Sequence, residues 1–225
     1  MALHTDAYGT FLKNIARPKA LQAMFDAGSL KPKKGDRRTA GKPTKQENEL
    51  LRASVIVTIG ALDAYLSDVA AEVLVAQLRG RQSRSDDARN LLRRVLKEVD
   101  TLPLELALLS DQDDREVLVS DVLRDHLSNK VSNHGAKGVS TTVERMGARL
   151  EWARLDTEIP VSLAFAKDPK SAAGLLDAWT DRRHALVHRG RALVISSPRA
   201  KALVTFVESI GQEVDRIAVD AIDAT

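Results

Sequence analysis

The sequence contains no cysteine, which excludes a disulfide frame, a thiolate zinc site and a thiol nucleophile, and suits a reducing compartment. Aromatic residues make up only 4% of the chain, so base recognition by ring stacking has little material to work with. Glycine (12) and proline (7) fall below their combined average share of about 12%, while alanine, leucine and valine dominate the apolar set. That balance favours helices over a turn-rich β fold. No long apolar run is present either. The most apolar stretch, residues 53–66, is interrupted by Thr58, Gly60 and Asp63, short of the roughly 18 uninterrupted residues that mark a membrane span. The first six residues have neither a basic start nor an apolar run, so no secretory signal is predicted. A soluble, cytoplasmic protein without a membrane partner is expected.

With 225 residues the chain can bury a sizeable core. The net charge of +3 is unevenly spread. Residues 28–46 hold Lys31, Lys33, Lys34, Arg37, Arg38, Lys42 and Lys45 against Asp36 alone, a local charge of +6. The segment has no apolar periodicity and reads as a basic loop, either a solvated linker or a region that attracts phosphates. It closes an N-terminal segment, residues 1–46, whose apolar positions Phe11, Leu12, Ile15, Leu21, Met24 and Phe25 suggest two short helical pieces separated at Pro18.

Residues 47–225 are expected to form the main helical domain. From 47 to about 77, Leu51, Val55, Ile59, Leu62, Leu66, Val69 and Val73 step by three or four, which predicts a long central helix. A second helix follows from 85 or 86 and ends before Pro103, with Arg89, Arg93, Arg94 and Lys97 on its polar side. Asp113 and Asp114 suit the start of a helix over 113–127. Residues 128–140 read as a loop, and helical spacing resumes over 139–155. Ser171 opens a further helix that carries Leu175, Leu176, Trp179, Leu186 and Val187, with Gly190 as its terminator. A short extended piece fits 192–196. Ser197-Pro198 then reads as a cap and first turn of a closing helix through Ile222. The fold class is all-α.

The densest chemistry lies in Asp181-Arg182-Arg183-His184-Ala185-Leu186-Val187-His188-Arg189-Gly190, which holds two of the five histidines. Histidine accepts and donates protons near neutrality, as transesterification of RNA by its own 2′-hydroxyl requires. Arginine supplies forked donors for phosphate oxygens as charge builds on them. Such chemistry needs no metal or other cofactor. His126 and His134 find no further partners at ligand spacing and read as surface or loop residues. Asp63, on the central helix beside Ile56, Ile59 and Leu66, is expected to be partly buried, with Arg182 or Arg183 as its partner. A place at the edge of the stripe, satisfied by a neighbouring hydroxyl, is the alternative.

Arg183-His184-x-x-x-His188 resembles the signature of HEPN ribonucleases: an arginine, a polar residue, three variable residues and a histidine. The helix running from Glu49-Leu50-Leu51-Arg52 to Ala61-Leu62-Asp63-Ala64-Tyr65-Leu66 is similar to the first core helix of the RiboL-PSP group of that superfamily. The resemblance covers roughly residues 47–222. It implies an antiparallel helical bundle of HEPN type, carrying here an extra N-terminal segment, that dimerises and cuts RNA without metal. Members often serve as toxins or antiviral effectors, and an antitoxin or other regulatory protein is a further implied partner. Carried onto this sequence, it gives His188 proton transfer and Arg183 stabilisation of the charged phosphorane, with His184 and Asp63 in support. Arg182, Arg189, Lys33, Lys34, Arg37 and Arg38 would contact RNA.

His184 keeps three readings: orienting partner, phosphate contact or surface residue. Arg183 and His188 stand five residues apart, about 140° around a helix, so their cooperation favours a site composed across a two-fold dimer. A non-catalytic helical module that binds RNA or a partner protein is the competing expectation.

Overall fold

The computed structural model describes residues 4–28, 44–79, 90, 111–130, 135–189 and 193–224. Among them are seven helices and no strand: α1 (Asp6–Asp26), α2 (Lys45–Arg79), α3 (Gln112–Lys130), α4 (Gly135–Arg145), α5 (Trp152–Asp156), α6 (Ala172–Arg189) and α7 (Ser197–Asp223). The all-α expectation holds. Most of the basic loop and the basic helix expected from 85 lie outside the described residues, as do His134 and Gly190.

Contacts divide the chain into two compact units, and not at residue 46. One comprises Met1–Thr10, Asp63–Leu150 and Gln212–Thr225; the other comprises Phe11–Leu62 and Glu151–Gly211.

In the first unit, Ala70, Ala71 and Leu74 of α2 pack with Leu123 and Leu127 of α3. His126, expected at the surface, is buried beside them in sequence. The predicted loop over 128–140 is largely helical, because α3 runs to Lys130 and α4 starts at Gly135. The helix expected to continue through 155 instead stops at Arg145. Gly147 adopts φ +84°, and two backbone bonds close the end: its N–H donates to Glu144 O at 3.0 Å and that of Ala148 to Val143 O at 3.2 Å. This is the Schellman pattern, which glycine at the left-handed position makes possible. The start of α1 is held by buried Asp215, whose carboxylate accepts from the Thr5 N–H (3.1 Å) and hydroxyl (2.6 Å) and lies 2.8 Å from His4 Nδ1.

In the second unit, Phe11, Ile15, Leu51, Ile59, Trp179 and Phe206 are among the largest buried side chains. α1 is one helix and not two, since it runs straight through Pro18. The Pro18 carbonyl accepts from Ser54 Oγ (3.3 Å), and Gln22 Nε2 donates to that same hydroxyl (2.8 Å), so a buried polar bridge ties the proline turn to α2. α2 begins at Lys45, two residues ahead of its expected start at 47, on a reciprocal capping box: the Thr44 N–H donates to Glu47 Oε2 (2.6 Å) and the Glu47 N–H to Thr44 Oγ1 (3.1 Å). The α2 segment Lys45–Gln77 is long and apolar enough by length and composition to cross a membrane, but 56% of its most apolar window is buried in the protein. Burial on this scale is what a core helix requires. At α7, Ser197 does not act as the expected cap: its hydroxyl donates to Asp26 (2.9 Å) and lies within the helix. Lys201 also reaches Asp26 at 2.6 Å. Hydrogen bonds from Lys201 and then Ser197 hold the Asp26 carboxyl below the usual carboxylate range.

Candidate functional site

α6 opens at Ser171, whose hydroxyl accepts from the Gly174 N–H (3.2 Å), while Asp156 accepts from the Ala172 N–H (2.7 Å). Ala172, Leu175, Leu176 and Trp179 form its buried face at steps of three, one and three. Asp177, Asp181, His184 and His188 recur at steps of four, three and four along an exposed face. The hydrophobic spacing that anchors the first face thereby presents the second to solvent.

The rings of His184 and His188 are 4.4 Å apart between centres, with their planes 46° to one another. Both side chains are exposed. Arg183 sits between the faces, half-buried, with its Nε shielded from solvent and without a hydrogen-bond partner among the described residues. The helix continues through Arg189, so Arg183 and His188 keep their separation of about 140° around its axis.

Arg182, expected to contact RNA or to pair with Asp63, is engaged differently. It forms an ion pair with Asp168, their side chains 19% and 7% exposed. Its guanidinium lies 4.4 Å from the Phe165 ring centre and 5.0 Å from that of Trp179. Arg199 approaches the same Phe165 ring at 4.1 Å. The Asp168 carboxylate also accepts from the Phe165 N–H at 2.9 Å, which fixes the turn carrying the ring. This cation–π cluster escaped sequence reasoning because its members come from a loop with no periodicity and from two helices; the only available signal was an aspartate and a phenylalanine shortly before α6.

Asp63 is half-buried, as expected, and its carbonyl accepts from Ser67 Oγ at 3.4 Å. It belongs to the unit that contains α3 and α4, whereas Arg182, Arg183, His184 and His188 all belong to the other. Lys33, Lys34, Arg37 and Arg38 lie outside the described residues, as does the Arg189 side chain. Among the described residues, no three histidine or acidic side chains are grouped so as to hold a metal ion.

A cleft of about 590 Å³ opens within the first unit, lined in part by Asp6, Glu72, Glu116, Val117 and Arg124. Glu72 accepts from the Asp6 and Ala7 N–H groups (3.1 and 2.9 Å), so its charge serves the start of α1. Arg124 lies 3.4 Å from Asp68, whose carboxyl burial pushes up and Arg124 pulls down. Arg124, a cation lining the cleft, is engaged by Asp68 and Asp121.

No family model, curated protein or solved structure matches the chain.

Proposed function

We propose that the protein is a metal-independent endoribonuclease of HEPN type that acts as a homodimer in the cytoplasm, with a toxin or antiviral role held in check by a regulatory protein. The observation that carries this reading is the helix α6 segment in which Arg183, with an unpartnered Nε, adjoins an exposed pair of histidine rings in mutual contact.

In this reading His188 takes the proton from a ribose 2′-hydroxyl, and the 2′-oxygen attacks the adjacent phosphorus. The bond from phosphorus to the 5′-oxygen breaks, and that oxygen recovers the proton through His188. The products are a 2′,3′-cyclic phosphate and a 5′-hydroxyl. Arg183 counters the charge on the equatorial oxygens. His184, in ring contact with His188, orients it. Arg182 supports α6 through Asp168.

Incubation of the purified protein with RNA in the presence of a chelator tests the reading. Cleavage with cyclic phosphate ends is expected, and His188→Ala removes it while helicity by circular dichroism stays unchanged. Undiminished cleavage by that variant sinks the proposal. A second reading, a module that binds RNA or a protein without cutting, is favoured by the wide angle between Arg183 and His188 on a continuous helix. Binding without products selects it.

A further inference from the structure

We propose that His184 and His188 form a chelating pair for a divalent transition metal, copper(II) above nickel(II) or zinc(II), with the remaining coordination positions filled by water. Four residues apart on a helix, the two imidazoles share one face, about 40° apart, and both are exposed. Histidine pairs at this spacing are a recurrent way for a helix to hold a metal.

The ring separation is compatible with both imidazoles binding one ion. With metal–nitrogen bonds of about 2.0–2.1 Å, and about 1.1 Å from nitrogen to ring centre, imidazoles bound at right angles place their centres about 4.5 Å apart, against about 5.2 Å for a tetrahedral angle. The observed 4.4 Å between ring centres is of the order that lets one ion reach both imidazoles. Copper(II) heads the affinity order of divalent metals for nitrogen ligands. The local charge also suits a cation, because Asp177 and Asp181 precede the pair along the same exposed face. The other described histidines are placed otherwise: His4 lies against Asp215, and His126 is buried.

The site is a property of the apoprotein without RNA and stands whether or not the chain cuts. Titration of the full chain with Cu²⁺ in a weakly coordinating buffer, followed by calorimetry and electron paramagnetic resonance, tests it. One tight equivalent is expected, with the hyperfine pattern of two nitrogen ligands and weaker binding of Ni²⁺ and Zn²⁺. His184→Ala and His188→Ala each lower the Cu²⁺ affinity at least tenfold, while His134→Ala leaves it unchanged. Wild-type affinity in either single variant, or a one-nitrogen spectrum from the unmodified protein, overturns the assignment.

Discussion

Arg182 and Arg183 are neighbours in sequence with different environments. Arg182 is committed to Asp168 and to the Phe165 and Trp179 rings; each arginine also has a shielded nitrogen without a hydrogen-bond partner among the described residues, Nη1 in Arg182 and Nε in Arg183. Truncating Arg182 therefore acts on stability. It leaves Asp168 nearly buried and unpaired, a situation that costs about 3 kcal/mol, so Arg182→Met is expected to lower the denaturant midpoint markedly. Asp168→Asn with Arg182→Met should recover part of that loss. Arg183→Ala, by contrast, should lower the unfolding free energy by no more than about 1 kcal/mol and act on RNA cleavage. At this scale the sequence was partly legible. It drew attention to the dense run from Asp181 to Arg189 and to the part-burial of Asp63, because charge density and helical spacing are local properties. The division of labour between adjacent arginines was not legible, since it depends on Asp168 and Phe165, which reach Arg182 only after the loop before α6 has folded.

Among the helices, α2, α3, α6 and α7 were readable from their spacing, and where reading failed the cause is identifiable. Apolar periodicity locates the middle of a helix, whereas its ends follow capping chemistry. Thr44 and Glu47 start α2 ahead of its stripe, and Gly147 ends α4 where the apolar pattern runs on. Pro18 was read as a break because it removes one backbone donor, yet α1 continues past it with Ser54 and Gln22 bound in place. α7 offers a test of packing at this scale. A Cβ built on Gly211 would come within 2.4 Å of Phe11 Cε1, in the core of the second unit. Phe11 is 1% exposed and has little room to move. Gly211→Ala is therefore expected to destabilise the protein by about 1–3 kcal/mol through overpacking, despite the higher helix propensity of alanine. A raised melting temperature would contradict this account.

For the molecule as a whole, the homodimer carries the sharpest consequence of the proposed function. Sedimentation should give about twice the 24.6 kDa of one chain. If each site draws Arg183 from one copy and His188 from the other, mixing Arg183→Ala with His188→Ala chains creates one intact site in half of the dimers. About a quarter of the parental cleavage should then return, although each variant alone is inactive. A mixture as inactive as its components contradicts the composite site.

The hold of Asp215 on Thr5 and His4 joins residues 210 and 211 positions apart. During synthesis this hold on the first turn of α1 can therefore form only once Asp215 has emerged from the ribosome. Closure of this clamp is consequently a late event in folding, and any activity that depends on the finished first unit waits until Asp215 is available.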